Sequence, residues 1–112
     1  MKEVIAIIRP GAWARTKLAL IAQGVTAFTV TRVLGRGRQK GLHYLGANGA
    51  GLPVLPKRLV WLWLEDSAVE PIIACLIREN QTHEIGDGKI FVCPVEDALP
   101  VRPPEPGVPA VL

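Results

Sequence analysis

The feature that most limits the possible folds is the order of strand-like and helix-like segments along the chain. A β-branched run at residues 4–8 ends at a Pro-Gly turn, as a buried strand does. Residues 12–23 contain no glycine or proline, and Gly24 follows them at the position of a helix C-cap. Residues 25–35 then alternate with a period of two, which predicts a second strand. The shared face predicted for the intervening helix consists of Ala14, Leu18 and Ile21.

The second half of the chain repeats this order. An apolar run at residues 58–64 predicts a third strand. Ser67 and Glu70 have the spacing of a capping box at the start of a second helix. The apolar stripe of that helix consists of Val69, Ile72, Ile73, Leu76 and Ile77. A glycine-rich turn at residues 86–89 leads into a predicted fourth strand at residues 90–95.

The resulting order is β-α-β, a long connection, and β-α-β. It predicts an α+β ferredoxin-like fold, βαββαβ, with both helices on one face of an antiparallel sheet. The opposite face also carries apolar side chains, among them Trp61 and Trp63 of the third strand. Because an apolar sheet face of this size must be covered, the pattern predicts self-association.

A single domain accounts for the 112 residues. We assign residues 1–102 to this domain and residues 103–112 to a proline-rich tail. The connection at residues 42–56 contains glycines, two prolines and no formal charge. Loops of this length inside small domains are usually functional, so we predict that this one contacts a partner.

The net charge of +3 is modest, and the excess lies mainly at residues 32–40, where four cations occur without an acid. A dedicated nucleic-acid-binding protein usually carries a denser basic face. A local positive site suits a small polyanion better. We therefore expect no nucleic-acid partner.

The cysteines and histidines indicate neither a redox site nor a metal site. Cys75 and Cys93 lie within apolar segments and are predicted to be small buried side chains. His43 and His83 lack the spacing of zinc ligands. The apolar run that stops at Arg9 is too short for a signal peptide or a membrane span. We expect a cytoplasmic protein without membrane insertion.

Two separate segments combine glycines with cations: GRGRQKG at residues 35–41 and GDGK at residues 86–89. Glycines let backbone N–H groups approach phosphate oxygens, and Arg38 and Lys89 can add charge-assisted hydrogen bonds. Neither segment matches a Walker A or Rossmann pattern. On these features alone, a phosphate site and two ordinary surface turns with solvated cations fit equally well.

Five motifs, in order over residues 1–102, resemble the PII nitrogen-regulatory signal proteins. They are IIRP at 7–10, GRGRQKG at 35–41, LPKR at 55–58, NQT at 80–82 and IGDGKIFVCPVEDA at 85–98. The resemblance implies a homotrimer of ferredoxin-like subunits whose sheets face each other. Such a trimer would cover the second apolar sheet face.

The resemblance also implies ligands. In this family ATP or ADP lies between neighbouring subunits, and 2-oxoglutarate binds through a magnesium ion (Mg²⁺) held by the ATP phosphates. The residues that match the nucleotide site are Ile7, Thr29, Gly35, Gly37, Arg38, Gln39, Gly86, Asp87, Gly88, Lys89 and Arg102. Those that match the 2-oxoglutarate site are Gln39, Lys40, Gly41, Lys57 and Gly86, and Gln39 also matches the residue that reaches the metal.

The chain departs from the family pattern at several positions. The family's closing segment carries two arginines, two residues apart, but here Pro100 stands at the first position and Arg102 at the second. The family's Thr-Gly pair is replaced by Thr82-His83. Trp63 occupies a position that the resemblance places near the adenine ring.

The long loop departs most. Family members carry a modified Tyr or Ser there, but that position falls near Gly49, so we do not expect covalent modification. Other segments are most similar to the subgroup encoded beside nitrogenase, which switches that enzyme off. These segments are TKLAL at 16–20, FT at 28–29, VLGRG at 33–37 and PKRL at 56–59.

The expected function is to sense ATP or ADP, and 2-oxoglutarate, and to regulate a nitrogen-metabolism target such as nitrogenase through the loop at 42–56. One alternative is a nucleotide-sensing regulator of a transporter or carbon-metabolism enzyme that does not bind 2-oxoglutarate. Another is a monomeric single-stranded-RNA-binding module that stacks bases on Trp61 and Trp63. Catalysis is not expected, because the chain has no paired carboxylates and no nucleophile–base set.

Overall fold

The computed structural model of the chain describes residues 1–37 and 54–102. Within these residues the chain forms four strands and two α-helices, with one 3₁₀ turn at Pro10–Ala12. The elements are β1 (Lys2–Ile8), α1 (Trp13–Ala22), β2 (Thr29–Gly35), β3 (Leu55–Leu64), α2 (Asp66–Asn80) and β4 (Gly88–Pro94). The predicted element order is confirmed.

The four strands form one antiparallel sheet in the order β2-β3-β1-β4. Strand β1 therefore lies between β3 and β4, and its last residue, Ile8, pairs with Arg58 on one side and Gly88 on the other. Both helices pack on one face of this sheet. The core between the helices and the sheet consists of Val4, Ala6, Ile8, Leu20, Val25, Val60, Leu62, Leu64, Ile72, Cys75 and Leu76. This arrangement confirms the α+β ferredoxin-like prediction.

Helix α1 buries a different face from the one predicted. Leu18 is 65% exposed and Ile21 48% exposed, while Thr16 and Leu20 are buried. Thr16 is accommodated because its hydroxyl donates a hydrogen bond to the Ala12 carbonyl oxygen at 2.6 Å. A buried threonine whose polar group is satisfied within its own helix is invisible to an apolar pattern. Ala14, the third residue predicted for that face, is also exposed.

The start of helix α2 also differs from the prediction. The N-cap residue is Glu65, and no side chain forms a capping hydrogen bond, so the predicted capping box of Ser67 and Glu70 is wrong. The apolar stripe is correct at Ile72 and Leu76, which are buried, whereas Ile77 is 46% exposed. Exposed Ile77 marks the edge of the stripe.

Three predicted strand boundaries and one burial prediction need correction. Strand β2 begins at Thr29 and not at the predicted residue 25. Strand β3 begins at Leu55, so Leu55 and Pro56 belong to a strand and not to the predicted loop at 42–56. Strand β4 spans Gly88–Pro94, slightly earlier than predicted. Cys93 is only partly buried, because it lies on the sheet face opposite the helices. Most of the predicted loop, and the predicted tail at 103–112, lie outside the described residues.

The sheet face opposite the helices is apolar, as predicted. Alternation along the strands places on it Ile5, Ile7, Leu59, Trp61, Trp63 and Phe91. Trp63 is 36% exposed and Phe91 45% exposed. We call this surface the open face. It is large enough to favour self-association, which remains a prediction.

Candidate functional site

The candidate site is built on the turn that joins α2 to β4, residues 82–88. Two glycines make this turn possible, since Gly86 has φ +99° and Gly88 has φ +122°. A Cβ atom on Gly88 would overlap the carbonyl oxygen of Ile7 on the adjacent strand. Only glycine lets the turn approach β1 this closely. The predicted GDGK segment is therefore held against the end of β1.

The carboxylate of Asp87 closes the turn. Its Oδ2 accepts hydrogen bonds from the backbone N–H groups of Thr82 at 2.7 Å and His83 at 3.0 Å. Its Oδ1 accepts one from the hydroxyl of Thr82, whose oxygen in turn accepts from the N–H of Glu84 at 3.2 Å. The Thr82 hydroxyl first, and then the backbone donors, hold the pKa of Asp87 below its ordinary value. Asp87 thus has a structural role as an ionised acceptor.

Two cations from other strands bind the outer carbonyls of the turn. Arg9, which follows β1, donates from Nη2 to the Ile85 carbonyl oxygen at 2.9 Å and lies 3.4 Å from Asp87 Oδ1. Lys57, near the start of β3, donates from Nζ to the Gly86 carbonyl oxygen at 2.9 Å. These contacts connect the turn to the part of β3 that follows the long loop.

The two cations also affect each other. Partial burial lowers the pKa of Lys57, and the neighbouring Arg9 guanidinium lowers it further, whereas Asp87 acts in the opposite direction. The Nε atom of Arg9 is buried and has no hydrogen-bond acceptor among the described residues. An additional anion at this position would be favourable for both side chains.

Most predicted site residues that the structure describes lie at one end of the sheet. Ile7 pairs with Lys89 in the β1–β4 ladder, and Gly35 pairs with Leu55 where β2 ends and β3 begins. A Cβ atom on Gly35 would lie 3.6 Å from Cγ of Lys57. Strand pairing therefore brings the end of the GRGRQKG segment, the GDGK turn and Lys57 together.

Other predicted site residues lie elsewhere. Thr29 pairs with Trp61 at the opposite end of β2, six residues from Gly35, which corresponds to about 20 Å along the strand. Arg102 is exposed beyond the end of β4, and Gly37 is exposed just after β2. Arg38, Gln39, Lys40 and Gly41 lie outside the described residues. A single subunit thus does not bring Thr29 to the site.

A cavity of about 310 Å³ adjoins the turn beneath the end of α2. Its lining residues include Ile8, Leu76, Ile77, Asn80, Gly88 and Ile90. Ile7, Asp87 and Lys89 also line the cavity, so it shares these predicted site residues with the candidate site. Its walls are mainly aliphatic.

Sequence reasoning missed the contacts of Arg9 and Thr82. Arg9 contacts residues that lie 76 and 78 positions further along the chain, which no local pattern can predict. The role of Thr82 had a local signal, because threonine hydroxyls often bond to nearby backbone in turns. Within residues 1–37 and 54–102, no group of three His, Cys, Asp or Glu side chains is placed to hold a metal ion. No helix of the described chain is long and apolar enough to cross a membrane.

The fold and this glycine turn are those of a known class of regulatory proteins. The family model described as Nitrogen regulatory protein P-II matches residues 1–105. The chain therefore belongs to the P-II family, whose members are regulatory signal transducers that bind target proteins and are not enzymes. The resemblance inferred from the five motifs is confirmed.

The curated relatives agree with this assignment. A "Nitrogen fixation nifHD region GlnB-like protein 2" of Methanobacterium ivanovii is 41% identical over the full length of both chains. A "Nitrogen regulatory protein P-II" of Cereibacter sphaeroides is 43% identical, covering 99% of this chain and 100% of the relative. A "Nitrogen regulatory protein P-II 2" of Methanothermobacter thermautotrophicus is 40% identical, covering 99% of this chain and 97% of the relative. The nifHD-region names are consistent with the nitrogenase-associated subgroup.

Proposed function

We propose that this P-II family protein senses ATP or ADP at the end of the sheet that carries the glycine turn, and signals to a nitrogen-metabolism target in the cytoplasm. The observation that carries the proposal is the convergence of Arg9, Lys57 and the glycine turn. Glycines leave the backbone open to close approach, and the two cations supply positive charge without side-chain bulk in the turn. Such a surface suits the phosphate groups of a nucleotide.

In this proposal the phosphates contact Gly86, Gly88 and Lys89 of the turn, together with the segment that begins at Gly35. Ile7 offers an apolar contact beside them, since it pairs with Lys89 in the same ladder. Arg38 and Gln39 would extend the site from the GRGRQKG segment. Arg102 would approach from the chain beyond β4.

A complete site requires a second subunit. Thr29 and Trp63 lie towards the other end of the sheet, because Thr29 pairs with Trp61 and Trp63 follows two residues later on the same face. A homotrimer whose open faces pack together would bury the exposed parts of Trp63 and Phe91 and bring one subunit's Thr29 to its neighbour's turn. Light scattering at micromolar concentration tests this assembly. A stable monomer would contradict it and favour the RNA-binding alternative.

We propose a 2-oxoglutarate site beside the nucleotide, formed by Lys57 and the backbone of Gly86, with Gln39, Lys40 and Gly41 completing it. The ammonium of Lys57 already lies at the Gly86 carbonyl, 2.9 Å away. A ligand carboxylate here would offset the desolvation and the Arg9 charge that lower the pKa of Lys57. Mg²⁺ between this ligand and the nucleotide would be reached by Gln39.

The proposed output is binding of a target protein by the long loop predicted at 42–56, which leads into β3 at Leu55, two residues before Lys57. A ligand that engages Lys57 therefore acts next to the loop. It can bias the loop only through a difference in affinity between loop conformations. The nifHD-region names of the relatives favour a nitrogen-related target such as nitrogenase.

Calorimetric titration with ATP, ADP and 2-oxoglutarate, each with and without magnesium, tests this function. We expect ATP or ADP to bind to the parent chain, and 2-oxoglutarate to bind only when magnesium and ATP are present. Nucleotide binding without any 2-oxoglutarate binding would favour the alternative of a transporter or carbon-metabolism regulator. Absence of all nucleotide binding would contradict the proposal.

A further inference from the structure

Charge is strongly segregated along the chain. Residues 4–64 contain nine Lys and Arg side chains and no Asp or Glu, whereas all ten acids lie at Glu3 or from Glu65 onwards. The acid-free stretch supplies most of β1 and all of α1, β2 and β3. The acids belong mainly to α2, the turn and the chain after β4. The cations of this stretch therefore have no counterion within it, and among them Arg9 is paired with Asp87 of the turn.

Two arginines of this stretch lie directly opposite each other. Arg32 of β2 pairs with Arg58 of β3, so their side chains project from the same face of the sheet. This is the helix-bearing face, because Val60 and Ile8, the neighbours of Arg58 in register, are core residues. Like charges directly opposite on an antiparallel pair destabilise the sheet. Neither guanidinium group forms an ion pair or hydrogen bond within the described part of the chain.

Exposed aliphatic side chains flank this pair. Val30 and Leu34 lie two residues before and after Arg32, on the same side of β2, and are 36% and 70% exposed. Val30, Arg32 and Leu34 are all exposed on this edge strand, and Arg58 beside them is half-exposed. The four residues Val30, Arg32, Leu34 and Arg58 form what we call the arginine patch.

The long loop cannot neutralise the patch, since residues 38–53 contain no acid. The carboxylate of Asp87 is already engaged by Thr82 and Arg9. An unpaired, like-charged pair on rigid neighbouring strands is costly unless an external anion binds it. Guanidinium groups suit carboxylates, which they can bind through paired N–H donors.

We propose that the arginine patch binds an acidic segment of a partner protein, in which glutamates or aspartates are flanked by aliphatic residues. The proposal deepens the proposed function, because it assigns part of the target contact to this outer edge of the sheet and states the chemistry of the target. The flanking Val30 and Leu34 favour protein over nucleic acid. The patch has no aromatic side chain on which a base could stack.

The first test measures binding of a labelled synthetic peptide, Leu-Ser-Glu-Ser-Glu-Ser-Leu, by fluorescence anisotropy at about 0.15 M ionic strength, where the Debye length is about 8 Å. We expect the parent chain to bind it, and Arg32→Gln and Arg58→Gln each to weaken binding at least about tenfold, the effect of losing one charge-assisted contact. Lys17→Gln, which removes an equal charge from exposed α1, should change the affinity less than about twofold because the site is local. The same peptide with Gln in place of Glu should bind at least about tenfold more weakly.

The variants also separate a binding role from a structural one. Because each substitution relieves repulsion between like charges, the melting temperature should stay the same or rise. A double variant that combines Arg32→Gln and Arg58→Gln should bind ATP as the parent does. A wrong nucleotide-site proposal and a wrong patch proposal therefore give different results. A parent chain that does not bind the acidic peptide would overturn the proposal. So would equal loss in Lys17→Gln, or tighter binding of a single-stranded oligonucleotide than of the peptide.

Discussion

The glycine turn and the arginine patch use charge in opposite ways. In the turn, Asp87 accepts hydrogen bonds from Thr82 and His83, and Arg9 and Lys57 donate to the carbonyls of Ile85 and Gly86. In the patch, two arginines face each other across adjacent strands with no acid near them in the sequence. In the turn, the Asp87 carboxylate and the Ile85 and Gly86 carbonyls all have partners, although Arg9 Nε lacks an acceptor among the described residues. In the patch, neither guanidinium group has a partner among those residues.

This difference indicates what each region is built for. A satisfied network fixes one backbone conformation, which a site for a small ligand needs before the ligand arrives. Unsatisfied surface charges stabilise nothing within the subunit and are available to an external partner. Substitutions that remove the contacts of Asp87 or the close approach at Gly88 should therefore reduce stability and ligand binding together. Substitutions in the patch should reduce only partner binding.

The largest effect is expected from Gly88→Ala. The new methyl group would overlap the Ile7 carbonyl oxygen, and alanine would be strained at φ +122°. We expect a loss of about 3 kcal/mol in the free energy of unfolding, from overpacking and left-handed backbone strain together, measured by urea denaturation. Gly11→Ala is the matched control, because a Cβ there meets nothing within 4 Å. Equal stability of the two variants would show that the turn tolerates displacement from β1.

Next in size is the loss of nucleotide affinity in Lys89→Ala and Arg38→Ala. Each should weaken ATP binding at least about tenfold in calorimetry, because each removes one charge-assisted contact. Lys17→Ala is the control. It removes the same charge from the exposed surface of α1, away from the turn, and should leave ATP binding unchanged. If both site variants bind ATP as the parent does, the phosphate site is wrongly placed.

A smaller effect concerns the pH dependence of the turn. Because the folded state lowers the pKa of Asp87, its contribution to stability is complete above the ordinary carboxyl value of 3.8 and is lost as the pH falls through the folded value. Asp87→Asn should therefore lower the melting temperature at neutral pH. The difference in melting temperature between Asp87→Asn and the parent should disappear as the pH falls below about 4.

Glu84→Gln provides the control for this pH profile. It removes a carboxyl from the same turn that forms no ion pair with any described residue. Its melting curve should follow that of the parent at every pH. The melting temperature of Asp87→Asn could instead stay below that of the parent at low pH. In that case the Asp87 charge is not what stabilises the turn.

The sequence predicted the order of elements because alternation and helical periodicity act locally. It did not predict the buried face of α1, since Thr16 is buried with its hydroxyl satisfied by Ala12, and Asn80 of α2 donates to it at 3.1 Å. It identified the glycines of the turn, because positive φ angles demand them. It did not identify how Arg9 reaches that turn, because this contact depends on β1 pairing with β4 across most of the chain.

The smallest effect, and the sharpest test of the turn, comes from His83. Among the described residues, His83 has a positive φ of 66° although it is not a glycine. Its backbone N–H donates a hydrogen bond to Asp87. The left-handed conformation costs a residue with a Cβ about 1 kcal/mol, which substitution by glycine would recover. The greater conformational freedom of glycine in the unfolded chain offsets part of this stabilisation. His83→Gly should therefore stabilise the fold by roughly 0.5 kcal/mol, while His83→Ala, which keeps the Cβ, should not. Paired urea denaturation curves measure the difference.

If glycine and alanine give the same stability, backbone strain at this position is not significant. If glycine instead destabilises the fold, the imidazole contributes to the turn, which would then depend on more than the hydrogen bonds to Asp87.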